Sequence, residues 1–599
     1  MVTAEGLLAF SARIECWLAV LAGATIVLLA VRAHVAPGRP DGASSLNAPI
    51  SRRVEYLILG VILVAAALSR VVGWDDAVTP AFWFSQATTL YVGRLLEQGA
   101  AWSSCGQRLW VTHVNGEHES AILLPVLTAL QSWLGAHFGL PVLGGAVFGV
   151  LAVGLAWLFG RQVRSPVFGL LFAAFVAASP MQLMWSRLGS HFSGAVAHVL
   201  LALVIGYAAG RRESIVLAAV AGLVAWASVY HYYAARVAIP LTFFALLTGT
   251  PRAATLGRRL VLGFAWAAAL VGIAYALERG AVAQAFWPQY GGYPGNKGES
   301  SLGEFVTVNR IAIAHEARAT LERYFVRGRT GDGWLGQPGM ENGGLAFVPT
   351  ALLGALGLFD VLRRIRRQWI WLALAAAGLA VPALSVMTAR RALVFDLAWA
   401  ALAAHGVLTL VDGGGRGWPR RARAWAAGAM VAVIALWGTV AVFALSAVLP
   451  ASSGRHIPFG EAGFGDGVAC KRCVEAGRQW EQDIADGAFV VAFDNDAARE
   501  HRMSPGGLPL YGKIGALVAG APDRFVEGYA LMAGLDPEPP TPGPMFDRSS
   551  TDFATHLSAR IDRAAPRRLV WHFERPTRWE RWLAYRLRAA GGMLERFST

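Results

Sequence analysis

The feature that most constrains this chain is a series of apolar runs, each close to the length of one membrane crossing. A helix needs about 20 apolar residues to cross a bilayer core, and many such runs follow one another here, separated by short Arg-rich links. The composition agrees, because 55% of the residues are hydrophobic, 15% are charged and the mean hydropathy is +0.45. We therefore expect an all-α polytopic membrane protein with about twelve transmembrane helices.

The arginines predict which ends of the spans share a face, because positive residues accumulate in the cytoplasmic loops of membrane proteins. The Arg-containing links lie at residues 32–53, 161–164, 211–212, 252–259, 363–367 and 416–423. If these links face the cytoplasm, the segments between them face outward. The outward segments then include residues 74–76, 184–193, 229–236, 279–343 and 388–391, and both termini also lie outside.

The path of the chain before Arg161 is less regular. Residues 16–31 are interpreted as a retained anchor, because the start of the chain lacks a basic region followed by a small-residue cleavage site. Between Asp76 and Arg161 the chain must cross an odd number of times, yet it offers two apolar stretches. We expect that one of the two does not cross the membrane fully.

Charge and cysteine content exclude some classes of function. The net charge of +14 comes from arginines that cluster between apolar runs, so it does not indicate a nucleic-acid partner. Cys470 and Cys473 form a single CxxC motif without a second pair. This favours a local disulfide or two free thiols over a zinc site.

The acidic pair Asp75 and Asp76 follows Trp74 directly at the exit of an apolar run. One interpretation is that a span ends here and its acids are solvated. The other is a general base, since a carboxylate at a low-dielectric boundary can accept the proton of an acceptor hydroxyl.

Basic and aromatic residues cluster on the same predicted face. Taken singly, each has a simpler interpretation, such as an Arg that snorkels to the interface or a His that caps a turn. Arginines are disfavoured outside the cytoplasm, so a shared ligand with a phosphate and a lipid tail explains the group better. The group comprises Arg187, His191, His231, Tyr233, Arg236, Arg390 and Arg391.

The segment "HVNGEHES" adds His118 and Glu119 to this face. Its spacing does not match an HExxH metal helix, so we favour hydrogen bonding to a polar ligand or to solvent. The sequence predicts no metal site, and dependence on a divalent metal stays open.

The polar, Pro-rich tail differs from the rest of the chain. The stretches "GAFVVAFDND" and "RRLVWHFE" are typical of buried strands, which predicts a small extracytoplasmic α/β domain. Helical spacing at residues 306–325 predicts an amphipathic helix within an outward loop.

The sequence predicts three parts of the chain. Residues 1–53 are an anchor and link, and residues 450–599 are the tail domain. Between them, residues 54–449 form a transmembrane catalytic module with outward loops at about 74–120 and 279–343.

The order of motifs between residues 54 and 411 resembles the GT-C superfamily of polytopic glycosyltransferases. The acidic pair is followed by "HESAILLP", "ASPMQLMWSRLG", "VYHYYAARVAIP", "GDGWLGQPG" and "RRALVFDLAWAALAAHG". Within the superfamily, the chain is similar to the family 39 branch of protein-mannosyltransferase-like and aminoarabinose-transferase-like enzymes. It departs from many relatives in having Asp-Asp rather than Asp-Glu, and it lacks a Lys in "HESAILLP" that would contact phosphate.

The resemblance implies an inverting transferase that takes a sugar from a polyprenyl-phosphate carrier at the outer face of a bacterial cytoplasmic membrane. It implies that Asp75 is the base with Asp76 as its neighbour, and that no cofactor is required. The carrier phosphate would be neutralised by Arg187, His231, Tyr233, Arg236 and either Arg390 or Arg391, with His118 or Arg187 in place of the missing Lys. The acceptor is a protein, a glycan or a lipid.

Two other membrane functions use a similar face. A transporter or flippase of lipid-linked saccharides would also hold phosphate with outward arginines, although such proteins often contain inverted repeats and none is evident here. A ligase or polymerase of lipid-linked glycans shares the carrier and the membrane location. A non-catalytic scaffold is the remaining alternative, and it would not depend on Asp75.

Overall fold

The computed structural model describes residues 51–71, 140–187, 192–228, 233–278, 302–325, 348–384, 392–413, 479–493, 524–527, 564, 566, 568–573 and 595–596. These residues belong to two compact units. The described helices before residue 414 form the larger unit, and the described residues from 479 onward belong to the smaller one.

The larger unit is helical throughout its described part. In chain order it contains α1 (Arg52–Val71), α2 (Leu140–Val163), α3 (Pro166–Ala178), α4 (Pro180–Arg187), α5 (Phe192–Arg211), α6 (Ile215–Ala227), a 3-10 helix (Tyr233–Val237), α7 (Ala238–Gly249), α8 (Leu256–Glu278), α9 (Leu302–Phe325), α10 (Val348–Arg363), α11 (Ile365–Ala383) and α12 (Leu393–Gly413). Among these, α1, α2, α5, α8 and α12 are long and apolar enough to cross a membrane. The protein is therefore a mostly helical, multi-pass membrane protein, and the expected total of about twelve spans also depends on residues outside the described ranges.

Helix α1 illustrates how a helix sits in lipid. Its apolar residues Leu57 and Val61 are 68% and 64% exposed, whereas Glu55 and Arg70 are buried within the protein. Since lipid tails are as apolar as leucine, apolar residues can face outward while polar ones find partners in the bundle.

Several helix starts follow directly from local sequence. Ser165 precedes Pro166, and its hydroxyl accepts a hydrogen bond from the backbone N–H of Phe168 at 3.2 Å. Ser214 caps α6 in the same way, accepting from the backbone N–H of Leu217 at 3.3 Å. A serine cap satisfies a free N–H group at a helix start, and proline fits the first helical position because it lacks an N–H.

The described Arg links meet at one end of the helical unit. The Arg161 guanidinium is 2.8 Å from the Glu55 carboxylate at the start of α1, and Arg211 donates to the Gln162 carbonyl at 3.5 Å. Arg258 lies 3.5 Å from Glu213. This end also holds Arg164, Asp360, Arg364 and His405, which contact one another. The arrangement agrees with the prediction that these links share one face, and we call it the Arg-link end.

The direction of the helices follows from contacts at both ends. Helix α1 runs antiparallel to α2, because Glu55 lies beside Arg161 whereas Arg70 lies beside Gly149. Of the two apolar stretches before Arg161, the second thus forms α2 and runs toward the Arg-link end. The first stretch lies outside the described residues.

Glycines allow the closest helix contacts. Gly357 of α10 packs directly on the backbone of α12, where an added Cβ would lie 2.8 Å from the Gly406 nitrogen. Small residues at such positions let two membrane helices approach and gain van der Waals contact. Helices α10 and α12 therefore pack as a tight pair.

Helix α9 confirms the helix expected at residues 306–325 and shows which side packs on the bundle. Thr320 and Tyr324 are buried, whereas Ile311 is 79% exposed and Leu321 is 37% exposed. The side of α9 that carries the apolar residues Ile311 and Leu321 is therefore not the side that packs on the bundle.

The smaller unit contains a parallel sheet. Its strands are β1 (Ala488–Phe493), β2 (Phe525–Glu527), β3 (Arg568–Phe573) and β4 (Glu595–Arg596), in the order β2-β1-β3-β4. Both strands expected from the sequence, β1 and β3, are confirmed and pair in parallel register from Ala488 with Arg568 to Phe493 with Phe573. The boundaries and outward location expected for a tail α/β domain stay predictions.

Candidate active site

The structure describes three of the residues expected to form the site. Arg187 is the last residue of α4, Tyr233 is the first residue of the 3-10 helix, and Arg236 is in that helix. Arg236 is half-buried. The other expected residues lie outside the described ranges and stay predictions: Asp75, Asp76, His118, Glu119, His191, His231, Arg390 and Arg391.

The helix ends that adjoin these residues are described, and they lie at the end of the unit opposite the Arg-link end. Helix α1 ends at Val71, four residues before Asp75. Helix α12 begins at Leu393, two residues after Arg391. Helix α4 contacts both α1 and α12, so the short helix that carries Arg187 connects the two.

The start of α4 is fixed to α12 by buried hydrogen bonds. Ser179 accepts from the backbone N–H of Gln182 at 3.3 Å and so caps the helix, with Pro180 at its first position. The Ser179 hydroxyl also donates to the Asp396 carboxylate at 2.7 Å. The Gln182 amide donates to the same carboxylate at 2.9 Å and to the Leu393 carbonyl at 2.9 Å. The "SP" pair of the sequence thus has a physical role in docking α4 on α12.

The end of α9 joins the same carboxylate. The Tyr324 hydroxyl donates to Asp396 at 2.7 Å, and its ring packs against Phe325, Phe395 and Trp399. Burial raises the pKa of Tyr324 well above its usual value, and the neighbouring Asp396 raises it further. The phenol therefore stays protonated and acts as a donor to Asp396.

The other end of α4 lies beside a fully buried arginine. Arg70, in the last turn of α1, is fully buried, and its guanidinium donates to the Ala66 carbonyl at 3.1 Å. A Cβ added to Gly149 would lie 2.5 Å from Arg70 Nε and 2.7 Å from the Cβ of Ser186. Arg70 and Ser186, the neighbour of Arg187 in the chain, therefore both pack against this glycine.

The 3-10 helix with Arg236 is held by several neighbours. It packs against α5, α7, α11 and α12, and Ala234 and Ala235 are fully buried. These small residues let the 3-10 helix lie against the bundle, so that the backbone at Arg236 has a fixed position.

Sequence reasoning missed four residues at this end: Arg70, Gln182, Tyr324 and Asp396. Two of them had a detectable signature. Arg70 is an arginine at the predicted outward end of a span, where arginine is disfavoured. Asp396 is an acid inside an apolar run, which is costly in a membrane and is often functional.

Within the described part of the chain, no group of three or more His, Cys, Asp or Glu side chains is arranged to hold a metal ion. The side chains that contact one another at the start of α4 are two hydroxyls, an amide and a carboxylate, and the Arg70 guanidinium lies beside the other end of this helix. Guanidinium and hydroxyl groups bind phosphate well.

Comparison with known proteins gives matches among solved structures. No family model matches the chain, and no curated protein matches it either. The oligosaccharyltransferase AglB from Archaeoglobus fulgidus, in complex with an inhibitory peptide and a dolichol-phosphate, is 13% identical with a TM-score of 0.45, over 76% of this chain and 64% of AglB. ArnT from Cupriavidus metallidurans is 14% identical in its apo state with a TM-score of 0.45, over 81% of this chain and 91% of ArnT.

The same ArnT bound to undecaprenyl phosphate matches with 16% identity and a TM-score of 0.41, over 80% of this chain and 90% of ArnT. Both AglB and ArnT are GT-C glycosyltransferases, the superfamily that the motif order resembles. The chain spans less than two thirds of the length of AglB.

Proposed function

We propose that this chain is a membrane glycosyltransferase that transfers a sugar from a polyprenyl-phosphate carrier to an acceptor hydroxyl, with inversion at the anomeric carbon. The motif order along residues 54–411 supports this proposal, as does the chemistry of the helix ends described above. The acceptor is a hydroxyl of a protein, a glycan or a lipid.

The observation that carries the proposal is the buried arginine at the end of α1. Arginine is disfavoured at the outward end of a membrane span, and a guanidinium binds phosphate oxygens well. Arg70 is fully buried at the end where α4 terminates in Arg187, and five residues before Asp75. Arg70 and Arg187 lie on adjoining helix ends, and Arg70 is close in sequence to the acidic pair. This combination suits a site for an anionic carrier and a base.

The proposed reaction uses one base and no general acid. Asp75 takes the proton of the acceptor hydroxyl as its oxygen forms a bond to the anomeric carbon. The bond from that carbon to the phosphate oxygen breaks, and the carrier leaves as polyprenyl phosphate. Arg187, Arg236 and Arg390 or Arg391 stabilise the charge that develops on this leaving group. Asp76 is the alternative base.

We place the Arg-link end in the cytoplasm and the opposite end outside, at the outer face of a bacterial cytoplasmic membrane. The net positive charge of the links supports this orientation. In this proposal, residues 54–449 are the catalytic module and residues 450–599 form an extracytoplasmic domain.

The test is transfer from labelled polyprenyl-phosphate sugars by the purified protein and three variants. Asp75→Asn keeps the shape of the side chain but removes the base, so transfer should fall about 10²- to 10⁴-fold. Binding of undecaprenyl phosphate should persist in this variant. Glu213→Gln, which changes an acid at the Arg-link end, is the control and should keep normal activity.

Asp76→Asn separates the two acids, because the larger loss identifies the base. Full transferase activity in both Asp75→Asn and Asp76→Asn would refute the assignment of a base to this pair. The protein would be a flippase if it moved lipid-linked sugar across a vesicle membrane and never transferred the sugar. In that case the movement would be the same with or without Asp75.

A further inference from the structure

The Asp396 carboxylate accepts hydrogen bonds from three side chains, and the proposed reaction does not use it. It is 5% exposed and lies in the first turn of α12. Its three donors come from three parts of the chain, namely Ser179 before α4, Gln182 within α4 and Tyr324 near the end of α9.

These bonds fix the register of α4 against α12. Gln182 donates both to the Asp396 side chain and to the Leu393 carbonyl, so one amide holds α12 at two points a turn apart. Rotation or sliding of α12 would leave the carboxylate in an apolar bundle without its donors, which is strongly unfavourable. The network therefore selects a single arrangement of the two helices.

The two helices lead directly to the proposed phosphate-binding arginines. Arg187 ends α4, five residues after Gln182, and Arg391 precedes Leu393 by two residues. A short helix transmits its register along its length, since each residue adds a rise of about 1.5 Å. Docking α4 on α12 thus governs how far the end of α4 at Arg187 lies from the start of α12 at Leu393.

We propose that Asp396 is a positioning residue for the lipid-phosphate site, because it holds the end of α4 with Arg187, and the start of α12 two residues after Arg391 in the sequence, at the spacing that the carrier phosphate needs. This inference rests on the proposed function. Through Tyr324, Asp396 also ties the end of α9 to the same point. Asp396 does not touch the reacting atoms, and it acts through Arg187 and Arg390 or Arg391.

The experiment compares three variants of the full chain in detergent. Asp396→Asn keeps the size of the side chain but turns an amide N–H₂ or a neutral oxygen toward three donors. Tyr324→Phe removes one donor and leaves the ring packing, so it is the milder variant. Asp360→Asn is the matched control, because Asp360 is also a buried carboxylate with several partners, Arg164, Arg364 and His405, but lies at the Arg-link end.

Each variant is measured in three ways: thermal unfolding, the Kd for undecaprenyl phosphate, and KM and kcat with a labelled polyprenyl-phosphate sugar. For Asp396→Asn we expect Kd and KM to rise about tenfold or more, and kcat to fall as well, because the arginines that it positions also stabilise the charge on the leaving group. Tyr324→Phe should shift Kd and KM in the same direction by about threefold. Asp360→Asn should lower the unfolding temperature without changing Kd or KM.

A purely structural role would give a different result. If Asp396→Asn and Tyr324→Phe lower the unfolding temperature as Asp360→Asn does but leave Kd and KM at the wild-type values, the inference is wrong. It is equally wrong if Asp360→Asn raises Kd and KM as much as Asp396→Asn. A wild-type protein that neither binds undecaprenyl phosphate nor transfers sugar would instead refute the proposed function itself.

Discussion

Substituting Gly149 by alanine tests whether the packing around Arg70 is as tight as the structure indicates. The new Cβ would lie 2.5 Å from Arg70 Nε, 2.9 Å from Arg70 Cδ and 2.7 Å from Ser186 Cβ. Ordinary carbon contacts are about 3.5–4.0 Å. The Arg70 side chain is fully buried, so it has little space to move, and Ser186 Cβ is fixed to the backbone of α4.

The expected cost comes from overpacking, which is about 1–3 kcal/mol for an added methyl group in a close-packed core. Alanine favours a helix over glycine by up to about 1 kcal/mol, which would hide part of this cost. Gly154→Ala removes that ambiguity, because it lies in the same helix and its Cβ would meet only Leu63 Cδ2, at 3.8 Å. The propensity gain is common to both variants, so the difference between them should be about 1–3 kcal/mol.

The assay is unfolding of both variants in mixed detergent micelles, combined with transfer from a labelled polyprenyl-phosphate sugar. Displacing Arg70 and α4 together should also lower activity in Gly149→Ala, on the order of 10²-fold if the groups shift by about 1 Å. Gly154→Ala should keep wild-type activity. Equal stability and equal activity of the two variants would show that Arg70, Gly149 and Ser186 are not packed as described.

Two further stability predictions use matched pairs. Gly357→Ala should destabilise the protein by about 1–3 kcal/mol, because its Cβ would press on the α12 backbone. Gly60→Ala should be neutral or slightly stabilising, because nothing lies within 4 Å of its added Cβ. Equal stability of these two variants in the same detergent unfolding assay would contradict the prediction. Glu55→Gln should cost about 1–2 kcal/mol, since its 1% exposed carboxylate pairs with Arg161 at 2.8 Å. Glu213→Gln should cost less than about 1 kcal/mol, because the Arg258 and Glu213 side chains are 40% and 35% exposed and water screens the pair. A larger loss there would contradict the reasoning.

The secondary structure of the described regions could be predicted from sequence to a large extent. Apolar run length gave the long helices, and alternation with turn residues gave β1 and β3. Both depend on local properties of the chain, because a bilayer fixes the length of a span and a pleated strand fixes a period of two. The grouping of the Arg links at one end also followed from sequence, since it needs only the order of spans and links.

The sequence did not predict which side of each helix packs against the rest of the protein. In α9 the exposed Ile311 shows that apolar spacing did not mark the packed side, and in α1 Glu55 and Arg70 are buried whereas Leu57 and Leu68 are exposed. The reason is that lipid and protein interior are similarly apolar, so hydrophobicity does not distinguish a lipid-facing side from a packed one.

The sequence by itself therefore determined the class of protein and the approximate positions of the long helices that the structure describes, and it predicts one face for the acidic pair and the candidate arginines. Only the tertiary structure decided that Ser179, Gln182 and Tyr324 meet at Asp396, and that Arg70 packs against Gly149 beside α4. These residues are far apart in the chain, and their contacts depend on helix register. Register is set by close packing and buried hydrogen bonds between helices, which no local pattern encodes.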